Sequence, residues 1–178
     1  MKMPKVRVWA VLGDSDAGKS TTIGHLTSRL NQGPVGIVKV LLRGGGYLHI
    51  YGKKMALQEA EVYPDDETTP AIDQKGFMTN INDRAAELQH NPTISAGYFN
   101  ILIALRFNQV NNYPCGLDYL SSFVEKGWSI ESLVLLSPTP EQQEEYGRFG
   151  APTLSVDNSR NIEINHMVGQ VRNHFGWA

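Results

Sequence analysis

Short apolar runs alternate along the chain with longer amphipathic segments, and this alternation predicts an α/β fold with a mostly parallel sheet. The first apolar run covers residues 6–12 and ends at Gly13. Helical spacing of apolar residues follows over 23–30, and Gly33-Pro34 predicts the end of that helix. The chain therefore opens with a predicted strand, a glycine-rich loop and a predicted helix.

The same alternation continues to the last residues. Further strands are predicted at 36–42, 47–51, 98–105, 130–136 and 151–156. Further helices are predicted at 55–62, 82–89, 117–124, 141–149 and 162–175, with Asn161 as the cap of the last one. No repeat, low-complexity tract or linker interrupts the pattern. The economical interpretation is one domain over residues 1–178, with a three-layer arrangement of about five strands between helices on both faces.

The composition of the chain argues against several classes of protein and partner. The chain has 178 residues, of which 41% are hydrophobic, and a formal net charge of −2, which argues against an extended basic surface for nucleic acid. Its single cysteine, Cys115, excludes an internal disulfide framework. No apolar run reaches membrane-spanning length, and the first strand leaves no room for a signal peptide. We therefore expect a cytoplasmic protein without a membrane partner.

The loop after the first predicted strand carries the strongest chemical signal. Residues 13–20 fit the P-loop pattern Gly-x-x-x-x-Gly-Lys-Ser/Thr at every fixed position. Glycines let the backbone curl until several N–H groups point at one phosphate, while Lys19 reaches the β- and γ-phosphates and the Ser20 hydroxyl binds Mg²⁺. The predicted nucleotide-binding residues are Gly13, Asp14, Ser15, Asp16, Ala17, Gly18, Lys19, Ser20 and Thr21.

Further candidates follow from where the predicted strands end. Ligands of open α/β sheets bind at the carboxyl ends of the strands, and Arg43 and Arg106 each follow a predicted strand. Either guanidinium can stabilise charge on a transferred phosphoryl group, or it can simply pair with a neighbouring carboxylate at the rim. Asp14, placed near the γ-phosphate, is the candidate base, and the alternative is a solvated loop residue or a cap of neighbouring N–H groups. The other polar residues at these ends are Asn108, Ser137, Thr139, Asp157 and Asn158.

The loop and the helix after it resemble a known family over residues 13–26. Translation GTPases carry a similar first motif, Gly-His-x-Asp-x-Gly-Lys-Ser-Thr-Thr-x-Gly-His-Leu. Asp14 stands where that family has histidine, and no Asn-Lys-x-Asp motif for reading guanine occurs in the chain. We interpret this as similarity of the phosphate loop, which favours ATP over GTP.

The chain also resembles the small P-loop kinases of nucleotides, nucleosides and polynucleotides. The resemblance rests on the loop, which has Asp16 at its fourth position, and on the last strand, 153–158, which precedes a C-terminal helix. In those kinases the turn after the last strand often lies near the adenine. Two departures are the absence of an arginine-rich lid between Leu136 and Ala151 and the presence of Arg106 where a Walker B aspartate is usual.

The resemblance implies an ATP- and Mg²⁺-dependent phosphotransferase acting on a hydroxyl of a nucleoside, a nucleic-acid group or a small metabolite. An NTPase switch that acts with a partner, and a nucleotide-binding module without turnover, remain alternatives. Asp14, Asp16 and Asp73 are the candidates for the acid that supports Mg²⁺ through water. The acidic run Asp65-Asp66-Glu67 is interpreted as a solvated loop, with binding of a cation as the alternative.

Overall fold

The structure, a computed structural model, describes residues 4–28, 36–62, 68–88, 91, 97–158 and 163–178. Secondary structure in these ranges alternates much as the hydrophobic pattern predicts. The strands are β1 (Lys5–Leu12), β2 (Gly36–Leu41), β3 (Tyr47–Ala56), β4 (Glu61–Val62), β5 (Thr68–Thr69), β6 (Tyr98–Leu105), β7 (Ser129–Leu136) and β8 (Thr153–Val156). The helices are α1 (Lys19–Thr27), α2 (Gln74–Leu88), α3 (Gly116–Glu125), α4 (Pro140–Gly147) and α5 (Ile164–Phe175).

A six-stranded sheet forms the centre of the molecule, in the order β2-β3-β6-β1-β7-β8. Its strands are parallel except β2, which pairs antiparallel with β3. The strands β4 and β5 form a separate two-stranded ribbon. The central strands β1 and β6 are buried on both faces of the sheet, as is usual for parallel strands covered by helices. The prediction of a mostly parallel α/β sheet is confirmed.

Helices cover both faces of this sheet and give three layers. On one face, Ile23 of α1 and Met167 of α5 pack against Trp9 and Val11 of β1. On the other face, apolar side chains of α2, α3 and α4 pack against the alternate residues of β1. No helix within the described residues is long and apolar enough to cross a membrane.

The predicted helix over 55–62 is wrong. The strand β3 continues to Ala56, and a turn then leads directly into β4. The backbone here takes its hydrogen bonds from the neighbouring strand, because the Leu57 N–H donates to the Ala104 carbonyl at 3.1 Å. Gln58, which is buried, also turns its side-chain amide toward the end of β6. These hydrogen bonds to the end of β6 stabilise the segment more than a short isolated helix would.

Two helix boundaries also differ from the prediction. The helix α2 begins at Gln74 rather than near 82, because the Asp73 carboxylate accepts a hydrogen bond from the Gly76 N–H at 2.7 Å and caps the helix. The helix α1 ends at Thr27, followed by Ser28 in a left-handed conformation. Gly33-Pro34, the predicted stop of this helix, lies outside the described residues, as do the acidic run Asp65-Asp66-Glu67 and the cap Asn161.

Gly116, the first residue of α3, lies close to the end of β6 and to the helix α4. A Cβ atom there would lie 2.7 Å from the Tyr146 hydroxyl and 2.8 Å from the Arg106 carbonyl. We therefore expect Gly116→Ala to lower the free energy of unfolding by about 1–3 kcal/mol, measured by urea denaturation.

The control for this substitution is Gly169→Ala within α5, where a Cβ would meet nothing within 4 Å. That change is expected to stabilise the protein by about 0.5–1 kcal/mol, because alanine loses less backbone entropy in a helix than glycine. Equal effects of the two substitutions would contradict the close packing of α3.

Candidate functional site

The loop between β1 and α1 is a tight turn that only particular residues allow. Asp16 and Gly18 both have positive φ, 59° and 96°. A Cβ on Gly13 would lie 2.8 Å from the Ala17 Cβ, so a side chain at position 13 would collide with the loop itself. The Ala17 N–H donates to the Asp14 carbonyl at 3.3 Å and closes the turn. The loop is therefore compact.

The helix α1 begins directly at the end of this loop. Its N-cap is Gly18, and no side chain caps it. The first N–H groups of a helix have no partner within the helix, and the helix dipole places partial positive charge at the same point. An uncapped N-terminus after a glycine-rich loop is a favourable place for an anion such as phosphate.

Lys19 adds a full positive charge to the same point. Its side chain folds back over the loop, where the ammonium donates to the Asp14 carbonyl at 2.6 Å. Lys19 is only 6% exposed. Burial lowers the pKa of the Lys19 ammonium, while the carboxylate of Glu59 opposes that effect and the Arg106 guanidinium adds to it. Lys19, Glu59 and Arg106 thus belong to one electrostatic group.

A cavity of about 590 Å³ opens beside the loop. One wall is the loop and the first turn of α1, including Lys19 and Ser20. The other wall comes from the end of β3 and the turn after it, and it includes Lys54 and Glu59. Cationic and acidic side chains therefore face one another across a space open to solvent.

The cavity lies where the topology of the sheet places ligands. The strands β1 and β6 are neighbours, but the connection after β1 leads to α1 on one face and the connection after β6 leads to α3 on the other. Such a divergence of connections leaves a crevice at the carboxyl edge of an α/β sheet. The glycine-rich loop forms one side of this crevice, and Arg106 follows the neighbouring strand.

Arg106 lies beside the cavity, and the structure shows how it is held. Its guanidinium donates to the Glu59 carboxylate at 2.7 Å, so it pairs with a neighbouring acid, the alternative that the sequence left open. The Arg106 backbone is fixed by Gln58, whose side chain accepts from the Arg106 N–H at 3.1 Å and donates to its carbonyl at 3.2 Å. This pairing fixes the position of the Glu59 carboxylate beside the loop.

Glu59 and Lys54 are site residues that the sequence did not single out. Both lie in or beside the segment interpreted as a helix, so neither was considered as a residue at a strand end. The strand β3 extends as far as Ala56, although exposure does not alternate strictly along it. Recognition of that longer strand would have placed Gln58 and Glu59 just past its carboxyl end, by the criterion that selected Arg106.

Arg43 does not belong to this group, and its expected placement at the carboxyl edge is wrong. The strand β2 is antiparallel to β3, so its end lies at the opposite edge of the sheet. There the Arg43 side chain donates to the Trp177 carbonyl at 3.0 Å, and its backbone N–H donates to the Gly176 carbonyl at 3.0 Å. Arg43 thus fixes the C-terminal residues.

The three aspartates proposed from sequence lie in different settings. Asp14 is exposed and accepts a weak hydrogen bond from the Asn108 amide at 3.4 Å. Asp16 is exposed and lines the cavity. Asp73 caps α2, as described above. Within the described part of the chain, no group of three or more His, Cys, Asp or Glu side chains is arranged to hold a metal ion by itself.

Asn158, which follows β8, supports the loop from the side opposite Glu59. Its amide donates to the Ala17 carbonyl at 2.8 Å, and its backbone N–H donates to the Ser137 hydroxyl at 2.8 Å. Its side-chain oxygen is buried and accepts no hydrogen bond from the described residues. Residues after β7 and β8 therefore meet at the loop, as expected for the carboxyl edge of the sheet.

Comparison with known proteins gives no family for this chain. No family model matches it. No curated protein matches it either. What the site does is therefore inferred from its own residues and geometry.

Proposed function

We propose that this protein is an ATP- and Mg²⁺-dependent phosphotransferase that moves the γ-phosphate to a hydroxyl of a nucleoside, a nucleic-acid group or a small metabolite. One observation carries the proposal. The glycine-rich loop joins a central strand to an uncapped helix N-terminus and forms one wall of a cavity whose other wall presents the Glu59 carboxylate. Anion-binding groups thus face an acid across a space of about 590 Å³.

The lysine and the uncapped helix start beside the loop support the binding of a triphosphate. Backbone N–H groups at the start of α1 and the ammonium of Lys19 bind the phosphate oxygens in this proposal, and the Ser20 hydroxyl binds Mg²⁺. When bound, Mg²⁺ neutralises charge on the phosphates. A magnesium site of this kind needs only one or two protein oxygens, because phosphate and water supply the rest. The proposal therefore does not require a cluster of protein carboxylates.

Glu59 replaces Asp14 as the proposed base. The acceptor oxygen forms a bond to the γ-phosphorus, the bond from that phosphorus to the bridging oxygen breaks, and ADP leaves. The proton of the acceptor hydroxyl passes to the Glu59 carboxylate, which Arg106 holds in place at 2.7 Å. Asp14 is less suited, because it is exposed and its closest side-chain partner is Asn108.

The experiment that tests the proposal has two steps on one sample. ATP with Mg²⁺ is titrated into the protein by calorimetry, with GTP as the comparison. ADP release is then measured with and without a pool of nucleosides, oligonucleotides and small alcohols. We expect ATP to bind and ADP release to depend on an acceptor.

Each other outcome contradicts a defined part of the proposal. ADP and phosphate release without an acceptor would indicate a hydrolase, in which Glu59 acts on water. Binding without any release of ADP would indicate a binding module. Absence of binding would contradict the proposed nucleotide site itself.

Asn158→Ala provides a milder test of the loop. It removes the hydrogen bond to the Ala17 carbonyl, so we expect a loss of about 1 kcal/mol in unfolding free energy and a several-fold weaker affinity for ATP with Mg²⁺. Urea denaturation and calorimetry measure the two effects. The exposed Asn82 of α2 is the control, and Asn82→Ala should change neither value appreciably. Unchanged ATP affinity in Asn158→Ala would show that the hydrogen bond to the Ala17 carbonyl is not needed for the loop to bind ATP.

A further inference from the structure

A second cavity, of about 220 Å³, lies between β3 and α2. Among the residues that line it are Tyr51 and Lys53 from β3 and Phe77 and Arg84 from α2. The first cavity is lined by Lys54 instead. Consecutive residues of a strand point to opposite faces, so Lys53 and Lys54 lead to two separate spaces. A ligand in the second cavity would not occupy the space beside the glycine-rich loop.

The second cavity combines an apolar floor with positive charge. Phe77 and Ile81 belong to the buried core on this face of the sheet. Lys53, although charged, is only 8% exposed, and the Arg84 guanidinium lies 4.8 Å from the centre of the Tyr51 ring. No acidic side chain is among the described residues that line this space. Its chemistry therefore favours an anion with an apolar body.

The Lys53 side chain lies in a setting that disfavours its charge. Burial lowers the pKa of the Lys53 ammonium, and the carboxylate of Glu61 opposes that effect without lining the cavity. A buried ammonium beside an open space gains from a ligand carboxylate, because charge-assisted hydrogen bonds strengthen where water is excluded. Arg84, which is exposed at the mouth of the cavity, can hold the same carboxylate.

Size and lining narrow the class of ligand. A volume of about 220 Å³ is below the roughly 300–1,000 Å³ of pockets that hold drug-sized molecules, so the ligand is small. Tyr51 and Phe77 contribute aromatic surfaces, which favour a planar ring. We propose that the cavity between β3 and α2 is a second ligand site, which binds a small aromatic carboxylate through Lys53 and Arg84. This site goes beyond the proposed phosphotransferase and does not depend on it.

The test uses 4-fluorobenzoate as the probe, titrated against the full-length protein and followed by fluorine NMR. We expect saturable binding, and binding of the neutral analogue 4-fluorobenzamide at least about tenfold weaker. Lys53→Met and Arg84→Met should each weaken binding of the carboxylate by about tenfold. The control Lys75→Met removes another exposed cation of α2 and should leave the affinity unchanged.

Several results would overturn this inference. These are no saturable signal up to about 10 mM probe, equal affinity for the neutral analogue, or equal affinity of the wild-type protein and both variants. Displacement of the probe by ATP with Mg²⁺ would place it beside the glycine-rich loop instead. Circular dichroism verifies folding, and because Arg84 is exposed, Arg84→Met tests the site even if Lys53→Met does not fold.

Discussion

Replacing Lys19 with alanine is expected to weaken the affinity for ATP with Mg²⁺ by about 100-fold or more. The Lys19 ammonium lies over the glycine-rich loop, 2.6 Å from the Asp14 carbonyl, at the point where the uncapped α1 begins. In the proposed complex it makes charge-assisted hydrogen bonds to phosphate, each worth about 1.5–3 kcal/mol. Calorimetric titration of ATP with Mg²⁺ measures the loss.

The fold is expected to survive this substitution. Burial lowers the pKa of the Lys19 ammonium, so the protein gains little from keeping that charge when no anion is bound. Lys19→Met, which keeps the aliphatic part of the side chain, separates lost packing from lost charge and should bind as weakly as the alanine variant. The exposed Lys126 is the matched control. Equal affinity of wild type, Lys19→Ala and Lys126→Ala would contradict the phosphate-binding role of the loop.

The part of the fold predicted well from sequence depends on local pattern. The strand β6 is a nearly continuous apolar run, and β1 and β7 each end in an apolar run, at residues 9–12 and 133–136. Such runs, buried on both faces, have few alternatives to a central parallel strand. The loop was also found from local pattern, because its glycines, its lysine and the flanking strand and helix are contiguous. Whether it binds a nucleotide is still a prediction.

The parts predicted poorly depend on residues that are far apart in the chain. The direction of β2 decides which edge of the sheet receives Arg43, and the alternation of apolar residues carries no information about direction. The turn at Glu59 is fixed by Arg106, a residue 47 positions away, through a hydrogen bond of 2.7 Å. Periodicity reports the faces of an element but does not reveal which distant residue completes its hydrogen bonds.

The start of α2 is a different case, because the signal was present in the sequence. From the sequence, Asp73 is a candidate for the acid that supports Mg²⁺ through water. An aspartate placed three residues before a backbone N–H that needs a partner is equally a helix cap, and this is the role that Asp73 has in the structure. The capping hydrogen bond therefore accounts for an aspartate at position 73 without any role in binding a nucleotide.

Three charged groups connect the fold to the proposed chemistry. Lys19 comes from the first turn of α1, Glu59 from the turn after β3, and Arg106 from the end of β6. Arg106 fixes Glu59, and both act on the pKa of Lys19 from opposite directions. In the proposed phosphotransferase, Lys19 would bind phosphate and the acid beside it would receive the acceptor proton, and catalysis would come mostly from positioning and charge.

Glu59→Gln is therefore expected to lower turnover by about 100-fold or more, with a change of only a few-fold in affinity for ATP with Mg²⁺. The glutamine oxygen can still accept the hydrogen bond from Arg106, so the side chain keeps its place but loses the negative charge that receives the proton. Initial rates of ADP formation at saturating acceptor give the turnover number, and calorimetry gives the affinity.

The matched control is Glu144→Gln, because Glu144 also pairs with an arginine, Arg148 at 3.3 Å, but on the exposed surface of α4. Surface ion pairs contribute about 0–1 kcal/mol, so this control should retain full turnover. Unchanged turnover in Glu59→Gln would show that another group accepts the proton. A large loss of ATP affinity with the turnover number retained would instead assign Glu59 to the binding of the metal and its nucleotide. Only a loss of turnover with affinity retained supports Glu59 as the base.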